Sequence, residues 1–148
     1  YTSFTASVGN VKFLHRIDTL RPSDMTYDND KVEIRDGEWR LKDGVTIAEM
    51  TTADLSAESI LQVTSVCDSN NVNFLASFDH GATWLEYANG WITPDTTKES
   101  YGMFAPAMKE ITKRQWAEKL TGSIQLKTII HEKGTLTDIQ IFTKEVEE

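Results

Sequence analysis

The stretch SFDHGATW, residues 77–84, sets a hydroxyl (Ser77), a carboxylate (Asp79), an imidazole (His80) and a second hydroxyl (Thr83) around a glycine, Gly81. Such groups could serve acid–base or nucleophilic chemistry. That chemistry needs two carboxylates, or a nucleophile, a base and an orienting group, brought together in space. Elsewhere the chain has many carboxylates but none in a telling constellation. No G-x-S-x-G places a serine at a nucleophile elbow, and no H-E-x-x-H, P-loop or G-x-G-x-x-G occurs. The three histidines, His15, His80 and His131, are scattered without metal-ligand spacing. Asp28 and Asp30, in the DND run of residues 28–30, could offer oxygen ligands to calcium. The EF-hand spacing is missing, and the run reads as a polar turn before a strand. No catalytic residue is expected, no cofactor is implied, and calcium has no specific motif behind it.

Read as a turn, the same stretch explains itself. Asp79 can accept hydrogen bonds from turn amides. Gly81 can supply a positive φ, and Thr83 can return a side-chain bond as the next strand begins. Trp84 can lay its ring back over the hairpin, burying roughly 150–250 Å². His80 then sits at the turn tip, facing solvent.

The elements that must carry this turn are mostly strands. VKFLHRID alternates Val11, Phe13, His15 and Ile17 against Lys12, Leu14, Arg16 and Asp18, which makes His15 a core-edge histidine. KVEIRDGEWRLK holds a type I′ turn at Asp36 and Gly37. It sets Ile34 opposite Trp39, Val32 opposite Leu41, Glu33 opposite Arg40 and Arg35 opposite Glu38. TIAEMTTADLSAES leaves a short helix and an irregular connection both open. SILQVTSVC has apolar groups on both faces, as a strand inside a sandwich would, and Cys67 at its end reads as a buried small hydrophobe. Residues 74–92 read as strand, turn, strand, Asn-Gly turn, strand. Residues 93–107, with Pro94, Gly102 and Pro106, read as a mobile surface loop.

One helix is specified, over about residues 112–121. Thr112 and Gln115 form a capping box, Ile111 and Trp116 a hydrophobic staple, and Gly122 is placed for a left-handed C-cap. Trp116 is its packing anchor. Two strands follow: SIQLKTIIH, with Ile129 as the exception to its alternation, and LTDIQIFTK. His131 lies beside a turn as an ordinary exposed residue, and KEVEE is a solvated acidic tail. Seven or more short strands without βαβ alternation predict an all-β, antiparallel two-sheet sandwich with one short α-helix.

The chain's 148 residues suit a single β-sandwich domain over 1–148, with flexible ends at 1–10 and 144–148. A formal net charge of −8 argues against a nucleic-acid partner, which needs a basic face, and against an anionic membrane surface. No apolar run approaches the roughly 18–20 residues of a membrane span. A single cysteine rules out a disulfide within the chain and a multi-cysteine zinc site, and fits folding in a reducing cytoplasm. The opening YTSF reads as the start of an excised domain or a processed product.

Ser77, Asp79, Gly81, Thr83 and Trp84 match every specified position of the Asp-box, so the stretch resembles the Asp-box hairpin of sialidases and other β-proteins. A single box does not imply sialidase catalysis, which would need several boxes, an arginine set and a tyrosine nucleophile. FLASFDHGATWLEYANGWI, YGMF, EITKRQWAEKLTGSIQLKTII and GTLTDIQI follow in order. This series resembles a domain of phage and prophage virion proteins, chiefly tail, fibre or minor structural proteins. The resemblance covers about half the chain. It implies a jelly-roll sandwich similar to galactose-binding folds, a place in the virion, other virion proteins as partners, homo-oligomerisation, and no catalytic residue.

On that reading the chain attaches to or decorates a particle and binds host-surface glycans. Tyr87, Trp91 and Tyr101 would stack on sugar, with Asp95 and Glu99 as polar partners. The alternative is an accessory carbohydrate-binding domain of a secreted polysaccharide-degrading enzyme. A third option is a decoration protein without a ligand.

Overall fold

A computed structural model describes residues 2–8, 11–98 and 100–147, with side chains over 16–98 and 100–143. His15's side chain and Glu99 therefore lie outside the described residues. The strands are β1 (Thr2–Val8), β2 (Val11–Leu20), β3 (Met25–Tyr27), β4 (Val32–Arg35), β5 (Glu38–Leu41), β6 (Ile47–Thr52), β7 (Leu55–Ser56), β8 (Ile60–Cys67), β9 (Val72–Ser77), β10 (Glu86–Tyr87), β11 (Trp91–Ile92), β12 (Met103–Phe104), β13 (Ser123–His131) and β14 (Thr135–Glu147). Two short helices, α1 (Ala105–Lys109) and α2 (Lys113–Ala117), separate β12 from β13.

The protein is an all-β sandwich of antiparallel sheets. One sheet runs β1-β2-β14-β5-β4, with β8 on the other edge of β14; the second runs β12-β9-β13-β6-β3, with β7 also on β13. Along the chain β2, β8 and β14 belong to the first sheet, and β6, β9, β12 and β13 to the second. This is jelly-roll order with seven of the eight strands. The helices occupy the chain position of the missing strand and pack against β8. Gln62 Nε2 of β8 donates to the Lys109 carbonyl at 3.2 Å, tying α1 to that strand.

The core lies between the sheets. Leu20, Trp39, Ile60, Val63, Leu136, Ile139 and Ile141 from one side meet Ala48, Met50, Phe74, Ala76, Ile124, Leu126 and Ile130 from the other. The β4–β5 hairpin has the register that its turn dictates, Val32↔Leu41 through Arg35↔Glu38, with Asp36 and Gly37 at φ 54° and 80°. Glu33 faces Arg40 and Arg35 faces Glu38 as expected, and Glu33 also pairs along its own strand with Arg35 at 3.6 Å.

Bulges decide which residues of two strands face inward. Register shifts in the β8–β14 ladder fall between Leu136 and Asp138 and between Phe142 and Thr143. Each shift changes the parity of the inward face, so Ile60 and Val63 are both buried on β8, and Leu136 and Ile139 on β14. The segment left open as helix or connection is β6, pairing with β13 and alternating with Ala48, Met50 and Thr52 inward.

The helix expected over 112–121 is shorter, and a second helix precedes it. Thr112 and Gln115 make both capping-box bonds, at 3.2 and 2.9 Å, but α2 ends at Ala117. Gly122 has φ 108° yet lies at the entry to β13 rather than at the helix C-cap. Helix α1 arises where a loop was expected, because Pro106 sits in its first turn, where the missing N–H costs nothing. The end of that supposed mobile loop is pinned: a Cβ at Gly102 (φ 98°) would lie 2.9 Å from the Phe74 carbonyl oxygen.

Sheet two is covered on its outer face as well. Leu75 and Ile129 point away from the intersheet core but are fully buried. The chain leaving β9 returns as β12 along its edge and brings Tyr101 to Glu49 on that face.

Candidate functional site

The Asp-box hairpin closes on itself. Ser77 Oγ donates to Asp79 Oδ1 at 2.8 Å and accepts the Gly81 N–H at 2.8 Å. Asp79 Oδ1 also accepts the Thr83 N–H at 2.9 Å, and Oδ2 accepts the Thr83 hydroxyl at 2.5 Å. The Thr83 hydroxyl and amide, then Ser77, hold the Asp79 carboxyl down to about 2. Asp79 is therefore an ionised acceptor at neutral pH, without a proton to donate. Gly81 has φ 89°, and a Cβ there would stand 3.0 Å from Gln125 Oε1, so both conformation and space favour glycine.

His80 stands exposed at the turn tip, as expected, and gains a partner there. It carries φ 60°, and its Nδ1–H donates to Asp54 Oδ2 at 3.0 Å, docking the hairpin tip on the β6–β7 connection. Trp84 lies near the turn, its Cζ2 3.7 Å from the Cβ position of Gly81, with Lys127 Nζ 4.5 Å from its ring centroid. Lys127 also reaches Glu49 at 3.8 Å, and Glu49 accepts the Tyr101 hydroxyl at 2.9 Å. Burial and the Glu49 carboxylate push the Tyr101 phenol up to about 12.

The three aromatics expected to stack on sugar do not share one surface. Tyr87 and Trp91 meet edge-to-face at 5.3 Å, and Trp91 continues into Trp116 at 5.2 Å and Phe78 at 5.1 Å. Trp91 Nε1 donates to the Gln115 carbonyl at 2.8 Å, so its polar edge serves to hold α2. Tyr101 instead belongs to the Glu49 network. Asp95 closes its own turn by accepting from the Thr97 N–H and hydroxyl, which lower its pKa. Asp28 also closes a turn, accepting the Asp30 N–H at 2.8 Å. Among the described residues no group of three or more His, Cys, Asp and Glu side chains is placed to hold a metal ion. Cys67 is half-buried, and burial raises its thiol pKa.

Two clefts lie beside residues singled out in the sequence. One, of about 260 Å³, is lined by Tyr87, Asn89, Ala107, Glu110, Ile111 and Gln115. It combines a half-exposed aromatic ring with amide and carboxylate groups contributed by the β10–β11 turn and the helices. The other, of about 670 Å³, is lined by Thr46, Ile47, Asn71, His131, Glu132 and Lys133. His131 is half-buried here, not simply exposed, and its Nε2–H donates to Asn73 Oδ1 at 3.1 Å. Asn73 is fully buried, also accepts from Ser100 Oγ at 3.2 Å and donates to the Gly102 carbonyl at 3.4 Å. Sequence reasoning missed Asn73, Lys127 and the second cleft, because their partners lie far away along the chain.

No family model matches this chain, and neither the curated proteins nor the solved structures compared with it show a match. Among the described residues, no helix is long and apolar enough to cross a membrane.

Proposed function

We propose that the chain is a non-enzymatic structural and adhesion module of a bacteriophage particle. In this reading it attaches to or decorates the virion through other virion proteins and takes a host-surface glycan in the cleft beside Tyr87. The observation that carries the reading is that cleft, where an aromatic face meets Asn89, Glu110 and Gln115. A sugar's C–H face stacks on such a ring while its hydroxyls bond to neighbouring amides and carboxylates. Trp91 backs Tyr87 and orients it, so Tyr87 is the contact residue of the original three. The resemblance of segments between residues 74 and 141 to phage virion domains supplies the particle. The Asp-box supports a non-catalytic role, because its carboxylate is taken up by the turn.

The test is a glycan array probed with the wild-type chain and with Tyr87→Ala. Binding that Tyr87→Ala loses while retaining the wild-type melting curve is the expected result. Binding untouched by Tyr87→Ala and Asn89→Ala would remove the site. Hydrolysis of any polysaccharide by this chain alone would overturn the non-enzymatic assignment.

A further inference from the structure

A second feature points to a ligand of different chemistry, and it stands independently of the phage reading. The β13–β14 turn, residues 132–134, projects Lys133 into the junction of three contiguous clefts. Besides the cleft above, these are one of about 340 Å³ lined by Arg40, Leu41, Lys133, Gly134 and Thr135, and one of about 310 Å³ bounded by residues 41–46 with Glu132 and Lys133. Lys133 has φ 70°, in the left-handed region where glycine or asparagine is the economical choice. The turn cannot relax easily, because Gly134 behind it is packed so closely that a Cβ would lie 2.8 Å from the Asn71 carbonyl oxygen and 2.9 Å from that of His131. A lysine is thus held in a strained backbone at the rim of a groove, the kind of outlier that accompanies a working side chain.

Arg40 lines the second of these clefts together with Lys133, and its Nε is buried without a hydrogen-bond partner. Glu33, its cross-strand neighbour, is engaged with Arg35 instead. A buried N–H without a partner is costly, and in a chain of net charge −8 an arginine whose Nε is left in this state is conspicuous. A guanidinium's Nε and Nη groups match the two oxygens of a carboxylate or phosphate, and an ammonium adds a point charge beside them. The rest of the lining is polar, with Asp43, Thr46, Asn71, His131 and Glu132, and Ile47 adds an exposed apolar side chain.

We infer that this groove binds an oxyanionic ligand, a polyhydroxy compound bearing a carboxylate or phosphate, with its charged group beside Arg40 and Lys133. The experiment is a chemical-shift titration of the whole chain with trigalacturonate, with a glycerol phosphate oligomer and with neutral maltotriose, at low ionic strength and again in excess NaCl. Expected are salt-sensitive shifts at residues 40–46 and 131–135 from at least one anionic probe, and none from maltotriose. The responding probe separates a sugar acid from a phosphodiester polymer. Lys133→Gly is the decisive variant, since glycine is at ease at this φ and the fold is not threatened. It should weaken binding by about tenfold or more, as should Arg40→Met, whereas Lys133→Arg should restore it. Tyr87→Ala should leave this titration unchanged, which separates it from the glycan cleft. Silence from both anionic probes, equal shifts from maltotriose, or wild-type affinity in Lys133→Gly would overturn the assignment.

Discussion

Ser77→Ala tests whether the Asp-box is a fold lock. Ser77 is fully buried, and its hydroxyl both donates to Asp79 and accepts from Gly81 N–H. Removing it leaves the Gly81 amide without its acceptor and the carboxylate without one donor. A neutral hydrogen bond contributes about 0.5–1.5 kcal/mol net, and an orphaned donor costs more in proportion to its burial. Water can reach Asp79 and part of Gly81, which limits the penalty, so a loss of about 1–2 kcal/mol is expected. For a chain of this size that is a melting-point drop of about 3–6 °C. In urea, with a slope of about 1–3 kcal/mol per molar, the midpoint should fall by roughly 0.3–2 M with the slope unchanged.

The pH dependence supplies a second readout. Asp79's folded pKa is depressed to about 2, below its unfolded value. Its contribution is fully present above the unfolded pKa of about 4 and is lost as pH falls through the folded value. Wild type should therefore lose stability between about pH 4 and 2 by more than Asp79→Asn does. An unchanged urea midpoint in Ser77→Ala, or the same acid slope in Asp79→Asn as in wild type, would refute the reasoning. So would glycan binding abolished at Ser77 with stability intact.

Trp116→Ala should cost about 3–5 kcal/mol in a thermal or urea melt, since the ring is fully buried against Trp91 and Phe78 and anchors α2. Gly102→Ala should destabilise by about 1–3 kcal/mol, from both its positive φ and the clash with the Phe74 carbonyl oxygen, seen as a lowered urea midpoint. Tyr101, with its phenol near 12, should ionise last in an ultraviolet titration, and Tyr101→Phe should remove that late component. Because the unfolded chain releases that proton first, stability should decline from about pH 10 to 12 in wild type and less so in Tyr101→Phe.

What was legible in the sequence was local. Asp36 and Gly37 determined a turn, and the turn determined the β4–β5 register, because a two-residue loop with two positive φ values permits one pairing. Ser77, Asp79, Gly81 and Thr83 determined the Asp-box for the same reason: its bonds span at most four residues. The capping box at Thr112 and Gln115 held, although the helix behind it is one short turn longer in pattern than in fact, because the chain must turn into β13. Period-two patterning was enough for an all-β sandwich.

Tertiary structure alone decided the rest. The inward faces of β8 and β14 depend on bulges that exist only in their mutual pairing. Leu75 and Ile129 are buried because a later segment crosses a face that would otherwise meet solvent. Tyr87 and Trp91 were separated from Tyr101 by the side of the sandwich to which each return of the chain is tied. The groove around Lys133 joins β5, the chain entering β6, the β8–β9 turn and the β13–β14 turn, so its residues share no spacing that a linear reading could detect. Hydrogen bonds within a turn are written into a few neighbouring residues. A face, a cover or a groove is a relation between distant segments, and it comes into being only when the two sheets close.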